Sequence, residues 1–288
     1  MTQAHFRKGI ILLGLCCFLW TSASAFAQEK GDPPASAQGS GDLAAKVQNP
    51  VSSLISLPFK FTADFGAPNG SAYFLNVNPV VPVTVGNWNL INRALIPALV
   101  SVDGYIEGTE SIPQGSRGRE RKTGLGDINY SLFFSPAAAS KVIWGVGPSI
   151  NLPTATDDQL GSGKWSGGPT AVLLLQPKPW SLGVLGRQLW SFAGDDERAH
   201  VNQFLIEPFV NYNLKGGWYL ITDMIVTANW NAPSDQRWTI PLGGGVGKLF
   251  KIGNQPINSR LEAYYNIEKP DNAPDWQVLF TFQFLFPK

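Results

Sequence analysis

From about residue 58 to the C-terminus, apolar and polar positions alternate with a period of two, the mark of a β-strand whose faces meet different environments. The last run is the clearest. Trp276, Val278, Phe280, Phe282, Phe284 and Phe286 share one face, while Gln277, Thr281 and Gln283 share the other with Leu279 and Leu285. A second run sets Arg260, Glu262, Tyr264, Asn266 and Glu268 against Leu261, Ala263, Tyr265 and Ile267. A third sets Ile128, Tyr130, Leu132 and Phe134 against Asp127, Asn129, Ser131 and Phe133. The runs are eight to fourteen residues long, most of them twelve or more. An ordinary globular strand has about five or six, whereas a tilted strand needs about nine to eleven to cross a bilayer.

The pattern predicts twelve strands, near 58–65, 73–84, 87–100, 124–135, 141–152, 166–177, 180–193, 201–213, 217–229, 237–250, 256–268 and 275–286. Their connections alternate in length. Gly86-Asn87, Pro136 to Ser140, Lys178-Pro179, Lys215-Gly216 and Ile252 to Gln255 are short; Gly66 to Ala72, Ser101 to Thr123, Pro153 to Trp165, Gly194 to His200, Asn231 to Gln236 and Pro270 to Pro274 are longer and polar. An even strand number with short turns at one end and longer loops at the other predicts an all-β fold: a transmembrane, antiparallel, up-and-down β-barrel over 59–288, both termini periplasmic.

Tryptophan positions test this independently. Trp88, Trp144, Trp180 and Trp218 follow short turns, and Trp165, Trp190, Trp230, Trp238 and Trp276 flank long loops. A soluble sandwich would favour Trp at strand centres. Trp180 to Trp190 is ten residues and Trp218 to Trp230 is twelve, so each pair shares a face. At about 3.3 Å per residue and about 45° tilt these spans are roughly 23 and 28 Å deep, close to the apolar band of about 25 Å bounded by two aromatic girdles.

The N-terminus has a different pattern. Arg7 and Lys8 precede an apolar run from Ile10 to Trp20, and Ala25-Phe26-Ala27 has the small-x-small form of a cleavage site, which predicts a signal peptide over 1–27, with a cut after Ala25 as the alternative. Both cysteines, Cys16 and Cys17, lie within it, so the exported chain has no thiol or disulfide chemistry. Residues 28–48, rich in Gly, Pro, Ala and Ser, read as a flexible linker. Residues 49–58 read as a short helix or an irregular lead-in, and Leu54, Ile55 and Leu57 would form a plug if that segment enters the barrel.

Composition narrows the class. Charged residues are 15%, aromatics 12% and the net charge is +1, which becomes −1 once Arg7 and Lys8 are removed. That balance excludes disorder and bulk electrostatic binding of nucleic acid. No apolar stretch reaches the roughly 20 residues of a membrane helix.

With the aromatic face toward lipid, parity assigns Asn76, Asn78, Arg93, Asp127, Asn129, Arg187, Glu207, Asp223, Arg260, Glu262 and Glu268 to the lumen. A lipid-facing Arg or Lys at mid-depth costs about 2–4 kcal/mol, which favours inward placement. Two readings are open: a polar pathway that selects a solute, or paired charges in a closed lumen. The register at Arg93 is ambiguous, because Asn92 beside it is also polar. Gly161-Ser162-Gly163-Lys164 is not a phosphate loop, since Asp158 replaces the first Gly and Trp165 the Ser or Thr after Lys. Asp157-Asp158 and Asp195-Asp196-Glu197 lack the spacing of a calcium loop and read as solvated charge. His200 is the single histidine outside the signal segment, with no specified serine or acid partner, so no catalytic group, metal or cofactor is expected.

Several blocks resemble a known family: Asn49-Pro50-Val51 with Leu54 to Phe59; Gly124-Leu125-Gly126-Asp127 with Phe133 to Pro136; Trp144 to Pro148; Leu152 to Thr156; Leu160 to Trp165; Pro208 to Asn213; and Gly243 to Lys248. Together, over about residues 49–288, they look like outer-membrane proteins of the phenol-degradation (MetA-pathway) type, some of which carry the label of the hormone neuromedin U. The resemblance implies a bacterial outer-membrane barrel that passes small, hydrophobic or aromatic solutes; it assigns no functional residue. The expected partners are outer-membrane lipid and lipopolysaccharide, the barrel-assembly machinery through the C-terminal strand, and a small-molecule solute. Phe286 is followed by Pro287-Lys288 where such barrels end on an aromatic residue. The alternative function is a closed, non-conducting barrel acting through its outer loops. The 101–123 loop, with Arg117, Arg119, Arg121 and Lys122, is the candidate surface for lipopolysaccharide phosphates.

Overall fold

Long alternating runs need a partner on both edges, and in lipid no edge can be left open. The chain meets this requirement by closing one sheet on itself. The computed structural model describes residues 43–110, 120–138 and 140–287. The staves are β1 (Ile55–Ala67), β2 (Gly70–Val77 and Val80–Val85), β3 (Trp88–Gly104), β4 (Lys122–Gly124 and Ile128–Pro136), β5 (Val142–Leu152), β6 (Lys164–Leu175), β7 (Trp180–Gly194), β8 (Asn202–Asn213), β9 (Trp218–Asp223 and Val226–Asn229), β10 (Trp238–Ile252), β11 (Gln255–Glu268) and β12 (Trp276–Phe286). Each pairs antiparallel with its sequence neighbours, and β1 closes on β12 from Ile55↔Phe286 to Phe65↔Trp276. The fold is an all-β, twelve-stave antiparallel barrel, as the alternation predicts.

The short connections lie where the turn residues predict them. Gly86-Asn87 joins β2 to β3 with Gly86 at φ +57°, a conformation the hairpin turn requires and a side chain resists. One loop is shorter than expected: β1 and β2 run on to leave only Pro68 and Asn69 between them. Ile55 and Phe286 both lie at the short-turn rim.

Outward positions carry the apolar side chains. Phe61, Phe65, Leu173, Leu220, Leu242, Leu261 and Phe280 are exposed along the wall. Tryptophans sit at its two rims. Trp88 packs edge-on against Trp144 at 6.0 Å and Trp180 against Tyr212 at 4.6 Å near the short turns. Trp230 packs against Trp238 at 5.4 Å, and Trp276 against Tyr265 at 5.0 Å, near the long loops. Lys248 lies over the Trp218 ring at 4.6 Å, and Trp165 and Trp190 are exposed.

Residues 1–42, which hold the expected signal peptide and most of the linker, lie outside the described residues. The lead-in predicted over 49–58 divides. Residues 43–47 are helical, 48–54 turn without regular structure, and β1 already begins at Ile55. Leu54 is buried with Leu249, Leu285 and the helical residues Leu43, Ala44 and Val47. Ile55 and Leu57 instead pair with Phe286 and Phe284 on the outward face of β1. Of the three candidate plug residues, Leu54 alone is inside.

Candidate functional site: the lumen

Alternation sends every second residue of each stave inward, so the barrel interior is built from twelve half-sequences. At the short-turn end it is filled by the 43–54 segment. Val51 packs among Ile91, Phe133, Val172, Leu174, Leu185, Leu205 and Phe209. It fits because Gly145 of β5 has no side chain: a Cβ there would lie 3.0 Å from Val51 Cγ1. Polar bonds fix the segment to the wall. Gln48 Nε2 donates to Asn213 Oδ1 at 2.8 Å, Ser181 Oγ donates to Gln48 Oε1 at 2.8 Å, and Gln176 Nε2 donates to the Ala45 carbonyl at 2.8 Å.

Above the segment is a cavity of about 150 Å³, lined by Gln48, Leu54, Lys60, Asn78, Val80, Arg93, Glu207, Phe209, Tyr219, Asp223, Asn258 and Arg260, among others. Its wall is half apolar and half polar, and the polar half includes several charges. Arg260 is central: Nη1 lies 3.2 Å from Asp223 Oδ2, and Nε lies 3.3 Å from Glu262 Oε1. Tyr264 Oη donates to Glu262 Oε2 at 2.7 Å. Tyr219 Oη donates to Asn258 Oδ1 at 2.7 Å, and its ring occupies the space that Gly247 leaves on the inward face of β10.

Two smaller voids continue toward the long-loop end. Arg93 and Glu207 line both the main cavity and the void bounded by Asn129, Thr170 and Arg187. Arg187 Nη1 donates to Asn129 Oδ1 at 2.7 Å. The other void lies among Lys60, Asp64, Phe74, Asn76, Glu110, Ile225 and Leu279. Here the β3–β4 loop enters the barrel. Ile106 is buried among Ala72, Phe74, Val100, Val102 and Leu160. Glu110 Oε2 meets Lys60 Nζ at 2.8 Å.

The parity set therefore sorts into three. Asn76, Asn78, Arg93, Asn129, Arg187, Glu207, Asp223 and Arg260 line lumenal voids, and Glu262 is buried beside Arg260. The Arg93 ambiguity resolves, because Asn92 is on the outer face, where it accepts from Tyr130 Oη at 2.6 Å. Asp127 is displaced to the long-loop rim. It lies between the two segments of β4 and accepts from Ser162 N at 2.6 Å, Ser162 Oγ at 2.7 Å and Ala155 N at 3.1 Å, so the Gly161 to Lys164 run is a loop pinned by a carboxylate. Glu268 is exposed at the end of β11. The register shifts between Ile240↔Glu268 and Pro241↔Asn266, and that extra residue turns Glu268 out of the lumen.

Among the described residues, four further charges line the voids: Lys60, Asp64 and Glu110, and Lys46 of the 43–54 segment. Lys60 and Asp64 alternate with Phe59, Phe61 and Phe65 on β1, a signal present in the sequence. Glu110 is a loop residue, and no local pattern marks it.

Several of the loop charges are paired. Arg121 meets Asp103 at 2.7 Å, Lys122 meets Asp157 at 3.6 Å, and Arg198 meets Asp158 at 3.4 Å. Arg117 and Arg119 lie outside the described residues. His200 Nδ1 lies 3.3 Å from Ser191 Oγ on an exposed rim, and that oxygen also accepts from Val201 N at 3.0 Å, closing the β7–β8 loop.

The family model described by the MetA-pathway of phenol degradation matches residues 35–286. No curated protein sequence matches the chain. Among solved structures, the COG4313 outer membrane channel from Pseudomonas putida F1 is similar with a TM-score of 0.57 at 15% identity, over 81% of this chain and 94% of that one. The Pseudomonas putida toluene transporter TodX gives 0.41 at 10% identity, over 84% and 92%. The Salmonella typhi outer membrane phospholipase gives 0.41 at 13% identity, over 86% and 98%. The first likeness establishes the fold as that of a bacterial outer-membrane barrel.

Proposed function

The chain belongs to the family of the MetA-pathway of phenol degradation, and from that premise we propose that it is a passive outer-membrane channel for small solutes, apolar or aromatic in character. The short-turn rim faces the periplasm, the long loops face outward, and the two tryptophan rims sit at the two membrane interfaces. One observation carries this reading. The interior is a cavity of about 150 Å³ with mixed apolar and charged walls, closed at each end by chain that is not part of the barrel ladder. A cavity of about that volume is large enough for a benzene-sized molecule.

The wall is a hydrogen-bonded sheet closed on itself, whereas the closures are held by a few side-chain contacts. Gln48, Val51 and Leu54 hold one, and the Lys60–Glu110 pair with Ile106 holds the other. Displacing either is far cheaper than opening the sheet, so transport proceeds by movement of these two segments. The similarity to an outer membrane channel agrees with the channel reading. On this reading the assembly machinery recognises the terminal strand β12, and lipopolysaccharide phosphates meet Arg121 and Lys122 by competing with Asp103 and Asp157.

The test is conductance. Purified protein in planar bilayers should give discrete steps, and vesicles containing it should take up small neutral solutes. A bilayer that stays silent at all voltages, with the barrel verified by heat-dependent migration on a detergent gel, would favour the closed structural barrel instead.

A further inference from the structure

The charges of the barrel are divided by rim. The stretches that form the short-turn end, 43–58, 78–90, 134–146, 172–184, 210–222, 246–259 and 283–287, contain six lysines and no aspartate or glutamate. The opposite rim is acidic, with Asp157, Asp158, Asp195, Asp196, Asp271 and Asp275 in three of its loops. Lys46 lies at the lumen mouth and lines the main cavity. Lys141, Lys178, Lys215 and Lys251 are exposed, one at each of four successive hairpins, β4–β5, β6–β7, β8–β9 and β10–β11. The β2–β3 turn, Gly86-Asn87, carries no charge, so the lysines form an arc rather than a full ring.

Three of these hairpins repeat one pairing. Lys141 is followed by Trp144, Lys178 by Trp180 and Lys215 by Trp218, and all three rings are exposed on the wall. The fourth hairpin joins the same group. Lys248 stands opposite Trp218 in the β9–β10 ladder, and its Nζ lies 4.6 Å from the ring centroid. Among the described residues, none of these lysines is ion-paired. A lysine beside an apolar wall lays its stem along it and lifts the ammonium to the headgroups. An interfacial tryptophan holds its indole N–H at the same level. Together they offer a phosphodiester one charge and one donor. A zwitterionic headgroup brings its own ammonium and gains little from a second. A headgroup with net negative charge gains from every lysine on the arc.

We propose that the arc of Lys141, Lys178, Lys215, Lys248 and Lys251, with Trp144, Trp180 and Trp218, is a binding surface for anionic phospholipid headgroups, phosphatidylglycerol or cardiolipin, in the periplasmic leaflet. The geometry selects a lipid over a periplasmic polymer, because the cations stand against the aromatic rim and not beyond it. Lys248 covers the Trp218 ring, and the turns that carry the others are too short to project far from the wall. The leaflet rests on the periplasmic placement of the short-turn rim, whereas headgroup binding rests neither on that placement nor on conductance.

The experiment compares brominated phosphatidylglycerol with brominated phosphatidylcholine as quenchers of tryptophan fluorescence in reconstituted vesicles. One variant combines Lys141→Gln, Lys178→Gln, Lys215→Gln and Lys251→Gln. A control combines Arg121→Gln, Lys122→Gln, Arg237→Gln and Lys269→Gln at the opposite rim. Heat-dependent migration verifies each barrel. The unaltered protein should prefer phosphatidylglycerol by about fivefold. The preference should vanish in about 0.5 M NaCl, where exposed charges are screened beyond roughly 4 Å. It should survive in the control and be lost in the lysine variant. Equal binding of the two lipids by the unaltered protein, a result that needs no variant, would overturn the proposal, as would a preference that the lysine variant keeps. Retention on purified peptidoglycan without a lipid preference would assign the arc to that polymer and overturn the proposal too. For the leaflet, Lys178→Cys should react with a polyethylene-glycol maleimide only after the outer membrane is opened; reaction in intact cells would overturn the periplasmic assignment. A lipid preference in a protein that never conducts would uphold the arc and overturn the channel.

Discussion

The Tyr264 hydroxyl accepts the backbone N–H of Asp223 at 2.8 Å and donates to Glu262 Oε2 at 2.7 Å. Tyr264 belongs to β11 and Asp223 to β9, so the bond reaches over β10, where Gly243 stands opposite Tyr264 without a side chain. One phenol thus satisfies a buried amide that the interrupted β9–β10 ladder leaves without a strand partner, and orients a carboxylate paired to Arg260. Tyr264→Phe removes both bonds and keeps the volume. Leaving such groups unpaired costs about 1–3 kcal/mol, so the unfolding free energy from urea titration in lipid vesicles should fall by that amount, with a lower midpoint. Glu262→Gln in the Tyr264→Phe background should recover part of the loss. A midpoint unchanged by Tyr264→Phe would mean that water replaces the hydroxyl.

Val51 is seated on Gly145, and that contact gives the plug a specific weak point. A Cβ on Gly145 already meets Val51 Cγ1 at 3.0 Å, with Phe133 Cβ and Val172 Cγ1 each at 3.4 Å, so Gly145→Val occupies the seat. Burial of a valine is worth about 1.5–3 kcal/mol, and about 1.4 kcal/mol is a tenfold shift in an equilibrium. The variant should raise the open fraction in single-channel records roughly ten- to a hundredfold. Val51→Asp should act in the same direction, through a buried charge without a partner. Val146→Leu, on the outer face of the same strand, should not. Equal open fractions in all four proteins would show that the 43–54 segment does not limit conductance.

Much of this arrangement is legible in the sequence, and the failures have local causes. Period-two alternation assigns a face at each position as long as the strand is regular. Trp276 to Phe286 is regular, and every residue lies on its expected side. Parity breaks at bulges. One extra residue near Ile267 sends Glu268 outward, and the break between Gly124 and Ile128 sends Asp127 into the loops. Lys60 and Asp64 were readable by the same alternation. Glu110 was not, because its position comes from a contact fifty residues away in sequence, and no periodicity encodes where a loop folds. The break in the β9–β10 ladder likewise needs the structure: Pro241 and the glycines mark a weak ladder, and the pairing of 218–221 and 227–228 locates the unpaired stretch between them.

Asp127 holds the β5–β6 loop through its contacts with Ala155 and Ser162. Hydrogen bonds to a charged group are worth about 1.5–3 kcal/mol each in net stability. Asp127→Ala should therefore free residues 153–163 while leaving the sheet intact. Limited digestion with proteinase K in detergent should cut there at least tenfold faster than in the unaltered protein, with no change in heat-dependent migration. Equal cleavage rates would show that Arg198, which donates to the Asp158 and Gly161 carbonyls, holds the loop unaided.

The β3–β4 loop is latched by Glu110 to Lys60, and this latch has a defined pH range. Burial opposes the charge on Glu110. Lys60 at 2.8 Å outweighs it, with Arg187 and Arg93 adding to the effect, and the carboxyl is held below its ordinary value. A carboxylate whose pKa is depressed in the folded state contributes stability above its unfolded value of about 4.3, and loses it as pH falls through the lower folded value. The latch is therefore complete from about pH 8 to pH 5 and releases only below about pH 4. Conductance attributable to loop opening should stay flat across the upper range and rise in the acid. Glu110→Gln should show the acid level of opening already at pH 7, and its profile should lose the acid step. A step centred between pH 6 and 7, or one that survives Glu110→Gln, would assign the gating to another group.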